Sequence, residues 1–297
     1  MDATELIKKV RKIEIKTKGL SNQIFSGEYH SAFKGRGMAF SEVREYIPGD
    51  DIRSIDWNVT ARLNHPYVKV FEEERELNVM LIVDVSASGN FGTQKQFKRE
   101  LIAEICAVLS FSAIQNNDKI GLILFSDKIE KFIPPNKGRS HILRIIRELI
   151  NFEAESKGTS ISAGLQFLSN AIKKKSIAFL ISDFYDSAVG QTKSMLEDSL
   201  KIANRKHDLV VLKINDLRES ELPDIGLINI YDAETGREQL IDTSSAVVRK
   251  NYQHQRQMRN HQINGLLSKS GIDKIELFTG QNYIQPLMKL FKNRVKK

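Results

Sequence analysis

The sequence predicts an α/β protein: an open, mostly parallel, Rossmann-like sheet with helices on both faces, plus a small β-containing region at the N-terminus. Three observations lead there. "NVMLIVDV" and "SIAFLISDF" are apolar without alternation, the pattern of strands buried on both faces of a parallel sheet. Between such runs lie segments with apolar residues at helical spacing, such as Phe97, Leu101, Ile105, Val108 and Leu109. The strands also alternate with helical stretches of about ten residues or more, which implies right-handed crossovers and helices covering both faces.

The elements follow in order from residue 79. After the first core strand comes a helix over 93–116, then a strand in "KIGLILFSD" and a short one in "KIEKFIPP" that two prolines end. "SHILRIIRELINF" and "SISAGLQFLSNAIKK" read as helices, and "SIAFLISDF" as the next strand. A helix at about 187–206, the strand "DLVVLKIND", a helix around 244–269, the strand "KIELFTG" and a short C-terminal helix complete the alternation. Strands near 79–84, 119–125, 176–182, 208–214 and 273–278 are expected in one sheet, with 79–84 central.

Two parts break the pattern. "GLINIYDAETGREQLIDT", residues 226–243, reads as a polar-turned hairpin inserted late in a main domain of residues 79–297. Residues 1–78 are assigned to an N-terminal region packed on that domain. Residues 20–78 are rich in Gly and charge and lack a long periodic segment. In "PGDDIRSIDWNVTAR", Pro48-Gly49 marks a turn. Asp50, Asp51, Arg53, Asp56 and Arg62 are expected to form an ion-pair network with Trp57 as its apolar plug, a partner-docking surface being the alternative.

Composition narrows the function classes. The 297 residues suffice for a sizeable core, and no apolar run approaches the roughly 18–20 residues that cross a bilayer. With no signal-peptide pattern either, a cytoplasmic address is expected. Lys plus Arg exceed Asp plus Glu by eight (45 minus 37), which favours acidic partners. The excess gathers near both ends and in "RKNYQHQRQMRNH", and it reads as solvated helix faces; no nucleic-acid motif accompanies it. Cys106 is the only cysteine, so an intrachain disulfide is excluded, and its apolar helical setting makes it inert core. The histidines show no metal-binding spacing, and His207, His254 and His261 are expected to be exposed. Neither a Walker loop nor a GxSxG elbow occurs.

The chemistry gathers in three segments: "DVSAS" with Asp84, Ser86 and Ser88, "KGTSIS" with Thr159, and "LISDF" with Asp183. Asp84 and Asp183 end predicted strands and Thr159 opens a helix. Loops at the carboxyl ends of strands line the ligand crevice of an open α/β sheet, so the three can converge. Every candidate ligand there is a hard oxygen, a set that suits Mg²⁺, Mn²⁺ or Ca²⁺ and argues against zinc or copper. A capped turn would use the same residue types.

"DVSAS", with the later Thr and Asp, resembles the metal-ion-dependent adhesion site of von Willebrand factor A (vWA) domains. That resemblance implies Ser86, Ser88 and Thr159 as ligands, Asp84 and Asp183 as direct or water-mediated partners, and Mg²⁺ or Mn²⁺ as the cofactor. The upstream stretch "GRGMAFSEVREYIPGDDIRSIDWNVTARLNHPYVKVFEEERELNVMLIVDVSAS", residues 35–88, resembles the signature of a bacterial vWA-like family catalogued as domain of unknown function fifty-eight. Members are typically encoded beside MoxR-type AAA+ ATPases. The resemblance therefore implies a non-enzymatic adaptor whose metal meets an acidic residue of a protein partner, such an ATPase or one of its substrates.

A Mg²⁺-dependent hydrolase of phosphate esters is the alternative, since Mg²⁺ with aspartates also suits phosphoryl transfer. Against it, no DxD pair and no general base lie beside the serines, and Ser86 as nucleophile needs such a base. A His or Lys within hydrogen-bond distance of the open metal position would favour the hydrolase.

Overall fold

The computed structural model describes residues 38–73, 77–90, 97–156, 158–186, 188–189, 195–231 and 238–295. Their strands are β1 (Met38–Glu45), β2 (Tyr67–Glu73), β3 (Asn78–Asp84), β4 (Lys119–Phe125), β5 (Ile129–Asn136), β6 (Ile177–Ser182), β7 (Asp208–Asn215), β8 (Leu227–Tyr231), β9 (Glu238–Asp242) and β10 (Asp273–Phe278). The helices are α1 (Trp57–Leu63), α2 (Lys98–Gln115), α3 (Arg139–Asn151), α4 (Ile161–Ala171), α5 (Met195–Lys206), α6 (Leu217–Ser220), α7 (Ala246–Lys269) and α8 (Ile284–Val295). The chain divides into two units, one of residues 33–77 and one that holds residues 78–297.

In the larger unit six strands form one sheet in the order β10-β7-β6-β3-β4-β5. All neighbours run parallel except β4 and the edge strand β5. β3 lies between β6 and β4, and every residue from Val79 to Asp84 is buried. Each fully buried Val, Leu, Ile or Met side chain contributes roughly 1.5–3 kcal/mol, so these strands dominate the stability of the sheet.

Gly121 of β4 permits a close approach at the edge. A Cβ there would lie 2.8 Å from Met80 Sδ, 2.9 Å from the Ile133 carbonyl oxygen and 2.9 Å from the Pro135 nitrogen. The register of β5 shifts opposite this glycine. Pro134 and Pro135 therefore sit in an irregularity of an edge strand, and β5 runs through them to Asn136 instead of ending there.

α2 is apolar nearly all round because it is buried on most of its surface. Ser110 and Ser112 fit within it by donating to the carbonyls of Cys106 (2.6 Å) and Val108 (2.7 Å). Cys106 is fully buried, and burial pushes its thiol well above the ordinary value. β8 and β9 form a separate two-stranded hairpin between β7 and α7, closed by Thr243, whose hydroxyl donates to the Gly226 carbonyl at 2.6 Å.

The smaller unit pairs β1 with β2 antiparallel. Its acidic residues work differently from the expected network. Asp50 pairs with Arg44 through both oxygens at 2.7 Å, Asp51 caps a 3₁₀ turn over Ile52–Ser54, and Asp56 caps α1 by accepting from Asn58 N and Val59 N. Lys69 lies 3.5 Å from Asp56, while Arg53 and Arg62 are exposed. Nor is Trp57 a plug: it is 67 % exposed, because it starts a helix that buries none of its residues. Residues 1–37, with the basic N-terminal stretch, and the predicted helix start near residue 187 lie outside the described residues.

His207 overturns another expectation. His254 and His261 are exposed, but His207 is 1 % exposed, between α5 and β7. Neither of its ring nitrogens has a hydrogen-bond partner among the described residues. Burial, helped by the neighbouring Lys206 charge, pushes it down to about 4. Between about 6.5, the unfolded value, and about 4, the unfolded chain binds the extra proton, so His207 contributes stability above that window that is lost as pH falls through it. The full loss amounts to about 3 kcal/mol. In His207→Phe, denaturant unfolding at pH 7 and pH 4.5 should show a markedly smaller acid destabilisation than wild type; an unchanged difference would exclude this role.

Candidate functional site

The carboxyl ends of β3 and β6 meet at a buried polar cluster. β3 ends on Asp84, whose Oδ1 accepts the Ser86 amide at 3.0 Å and so turns the chain sharply out of the sheet. Its Oδ2 accepts the Ser182 hydroxyl at 2.6 Å. That hydroxyl in turn accepts the Phe184 amide at 2.9 Å, holding Phe184 at a φ of +59°, a conformation that side chains other than glycine seldom adopt. Ser86 and Ser88 share a hydrogen bond between their hydroxyls at 3.0 Å.

Asp183, the first residue after β6, accepts the Tyr185 amide at Oδ1 (3.1 Å) and the Lys98 ammonium at Oδ2 (2.8 Å). Lys98 is the first residue of α2, and its side chain is 1 % exposed. The same ammonium also pairs with Glu219 of α6. Glu219 is held in place by a capping box with Asp216, by Arg256 3.4 Å away, and through its carbonyl by Tyr252 and Arg256.

Burial shapes the charges. Asp84 is pushed up to about 7, first by desolvation and second by the charge of Asp183, against the hydrogen bonds from Ser182 and Ser86. Desolvation alone would lower Lys98, but Asp183 and Glu219 outweigh it and hold the ammonium above its ordinary value. A narrow gap is lined by Asp84, Ser88, Gly89, Lys98, Ser182 and Asp183. Beside it a largely apolar cavity of about 220 Å³ is walled by Asp84, Ser86, Arg99, Leu149 and Phe152 among others.

Asp84, Ser88 and Asp183 therefore share one gap, with Ser86 hydrogen-bonded to Ser88. Thr159 does not line it. It stands on the half-buried loop before α4, which Ser160 N ties to the Ser126 carbonyl (2.8 Å) and Ile161 N to Asp186 Oδ2 (2.9 Å). Sequence reasoning missed Ser182, Lys98 and Glu219. Lys98 stands one turn ahead of Leu101 and Ile102, on their face of the helix, which was the available sign of a buried ion pair. Among the described residues no group of three or more His, Cys, Asp and Glu side chains could hold a metal.

Residues 42–262 match the family model described as "Protein of unknown function DUF58". The chain belongs to that family. The uncharacterized protein Rv1480 of Mycobacterium tuberculosis is similar, 30% identical over 239 residues, covering 80% of this chain and 73% of that protein. Of solved structures, an aerotolerance-related membrane protein from Bacteroides fragilis is similar at 13% identity with a TM-score of 0.50, covering 74% of this chain and 98% of that one. The SpRpn10 VWA domain is similar at 12% identity and a TM-score of 0.38, covering 73% and 95%. At such identities the likeness concerns the fold alone, a mostly parallel sheet covered by helices. Among the described residues, no helix of this DUF58 chain is long and apolar enough to cross a membrane.

Ser182 carries two buried hydrogen bonds at once, so Ser182→Ala should leave a carboxylate oxygen and a backbone amide unpaired. We expect a loss of about 1–3 kcal/mol in denaturant unfolding, together with a further rise of the Asp84 carboxyl. Unchanged stability would show that neither bond contributes.

Proposed function

We propose that this DUF58 protein is a metal-dependent protein-interaction module, an adaptor with no catalytic group of its own. The observation that carries the reading is the pair of serine oxygens beside a buried carboxylate. Mg²⁺–oxygen bonds of about 2.0–2.1 Å at right angles put neighbouring ligands about 3.0 Å apart. Ser86 Oγ and Ser88 Oγ are 3.0 Å apart. Asp84 adds a buried carboxyl that desolvation and the charge of Asp183 push up to about 7, and a bound cation would favour its charged form.

Ser86 and Ser88 would be neutral ligands of Mg²⁺ or Mn²⁺, and Thr159, which stands outside the gap here, would join them only if its loop moved inward. Asp84, with both oxygens already accepting hydrogen bonds, and Asp183, held by Lys98, would act through water. When bound, the cation supplies a positive centre with an open position for an anionic oxygen. An acidic side chain of a partner protein suits that position, and the family resemblance points to a MoxR-type AAA+ ATPase or one of its substrates as the partner.

The hydrolase reading gains nothing from Lys98, although that lysine faces the gap. Its ammonium is held protonated between two carboxylates, so it has no lone pair with which to activate Ser86.

Calorimetry should detect one Mg²⁺ or Mn²⁺ per chain, lost in the Ser86→Ala/Ser88→Ala double variant and weakened in Thr159→Ala, with circular dichroism unchanged. Capture of the ATPase should fall in EDTA and return on adding Mg²⁺. Equal cation binding by the double variant would refute the site, and capture undiminished by EDTA would refute its role in docking.

A further inference from the structure

We infer that Lys98 is a built-in counter-ion that competes with the divalent cation for Asp183, with Glu219 setting how strongly it competes. The inference rests on the metal-site reading above and adds a residue to it that no ligand motif contains.

Position comes first. Lys98 lines the same gap as Asp84, Ser88 and Asp183, so its positive charge faces the space next to the candidate ligands. The side chain is 1 % exposed, which leaves water little share in screening it. It reaches Asp183 Oδ2 at 2.8 Å and Glu219 on its other side. One ammonium thus spans the carboxylate of the site and a carboxylate fixed by the capping box of α6 and by Arg256 of α7.

Charge decides the consequence. Asp183 and Glu219 both pair with Lys98, Glu219 also with Arg256, and Lys213 and Arg259 line a pocket with both carboxylates. A divalent cation entering here meets a site already mostly neutralised, and it repels an ammonium that cannot withdraw into solvent. Binding is therefore weaker than the same oxygens would give without Lys98. Glu219 opposes this by drawing on the ammonium from the far side.

The two residues consequently act with opposite signs. Lys98→Met frees Asp183 to favour the cation, and Glu219→Gln both removes a nearby negative charge and ends the pull of Glu219 on Lys98 away from Asp183. A purely structural role would weaken binding in both variants.

The test is Mn²⁺ titration of the full chain, read by calorimetry and by the paramagnetic resonance signal of free Mn²⁺. Lys98→Met should bind Mn²⁺ about tenfold tighter or more, Glu219→Gln should bind more weakly, and Lys98→Arg should stay near wild type. Mn²⁺ should also raise the melting temperature of Lys98→Met by more than that of wild type. Wild-type binding together with unchanged or weaker binding in a folded Lys98→Met would overturn the inference and leave the metal reading standing. Should Lys98→Met fail to fold, equal or tighter binding by Glu219→Gln overturns it alone. No Mn²⁺ binding by wild type or any variant would refute the metal reading, and the inference with it.

Discussion

Burial of β3 on both faces and both edges is the constraint on which the rest of the structure depends. A strand enclosed by β4, β6 and the covering helices can expose polar atoms only where it leaves the sheet, and it leaves at Asp84. The carboxylate there is buried, so it takes its hydrogen bonds from the next turn and from the end of the neighbouring strand. Those two bonds fix the Ser86–Ser88 turn on one side and the unusual backbone of Phe184 on the other. Packing thus generates the geometry of the site.

The same burial makes the site electrostatically demanding. Burial, and after it the charge of Asp183, raises the cost of ionising Asp84, and a cation nearby lowers it. The protein already supplies one such cation from α2, tied to a carboxylate on α6 that belongs to no strand end. The helices covering the sheet therefore contribute charge to the site as well as apolar surface. The carboxyl rim of the sheet thus presents an oxygen-lined gap that a buried ammonium faces.

How much of this could be read beforehand depended on sequence separation. The sheet was legible because each core strand is a contiguous apolar run, and Asp84, Ser86 and Ser88 because they are neighbours in the chain. The partners of Lys98 were not, since Asp183 and Glu219 stand 85 and 121 residues away and only the crossing of α2 over the sheet joins them. His207 looked exposed for a related reason. Its neighbours in "NRKHDL" are polar, yet it closes the passage from α5 into β7, where tertiary packing buries it. Trp57 erred the other way: a large apolar side chain usually finds a core, but α1 buries none of its residues.

The sequence by itself determined the alternation of strands and helices, the parallel sheet with β3 inside it, and the cluster of hard oxygens at one strand end, because local apolar patterns and adjacent residues carry that information. Only the tertiary structure decided which distant charge faces that cluster, because a buried ion pair is made by the packing of elements and leaves no periodic trace in the chain.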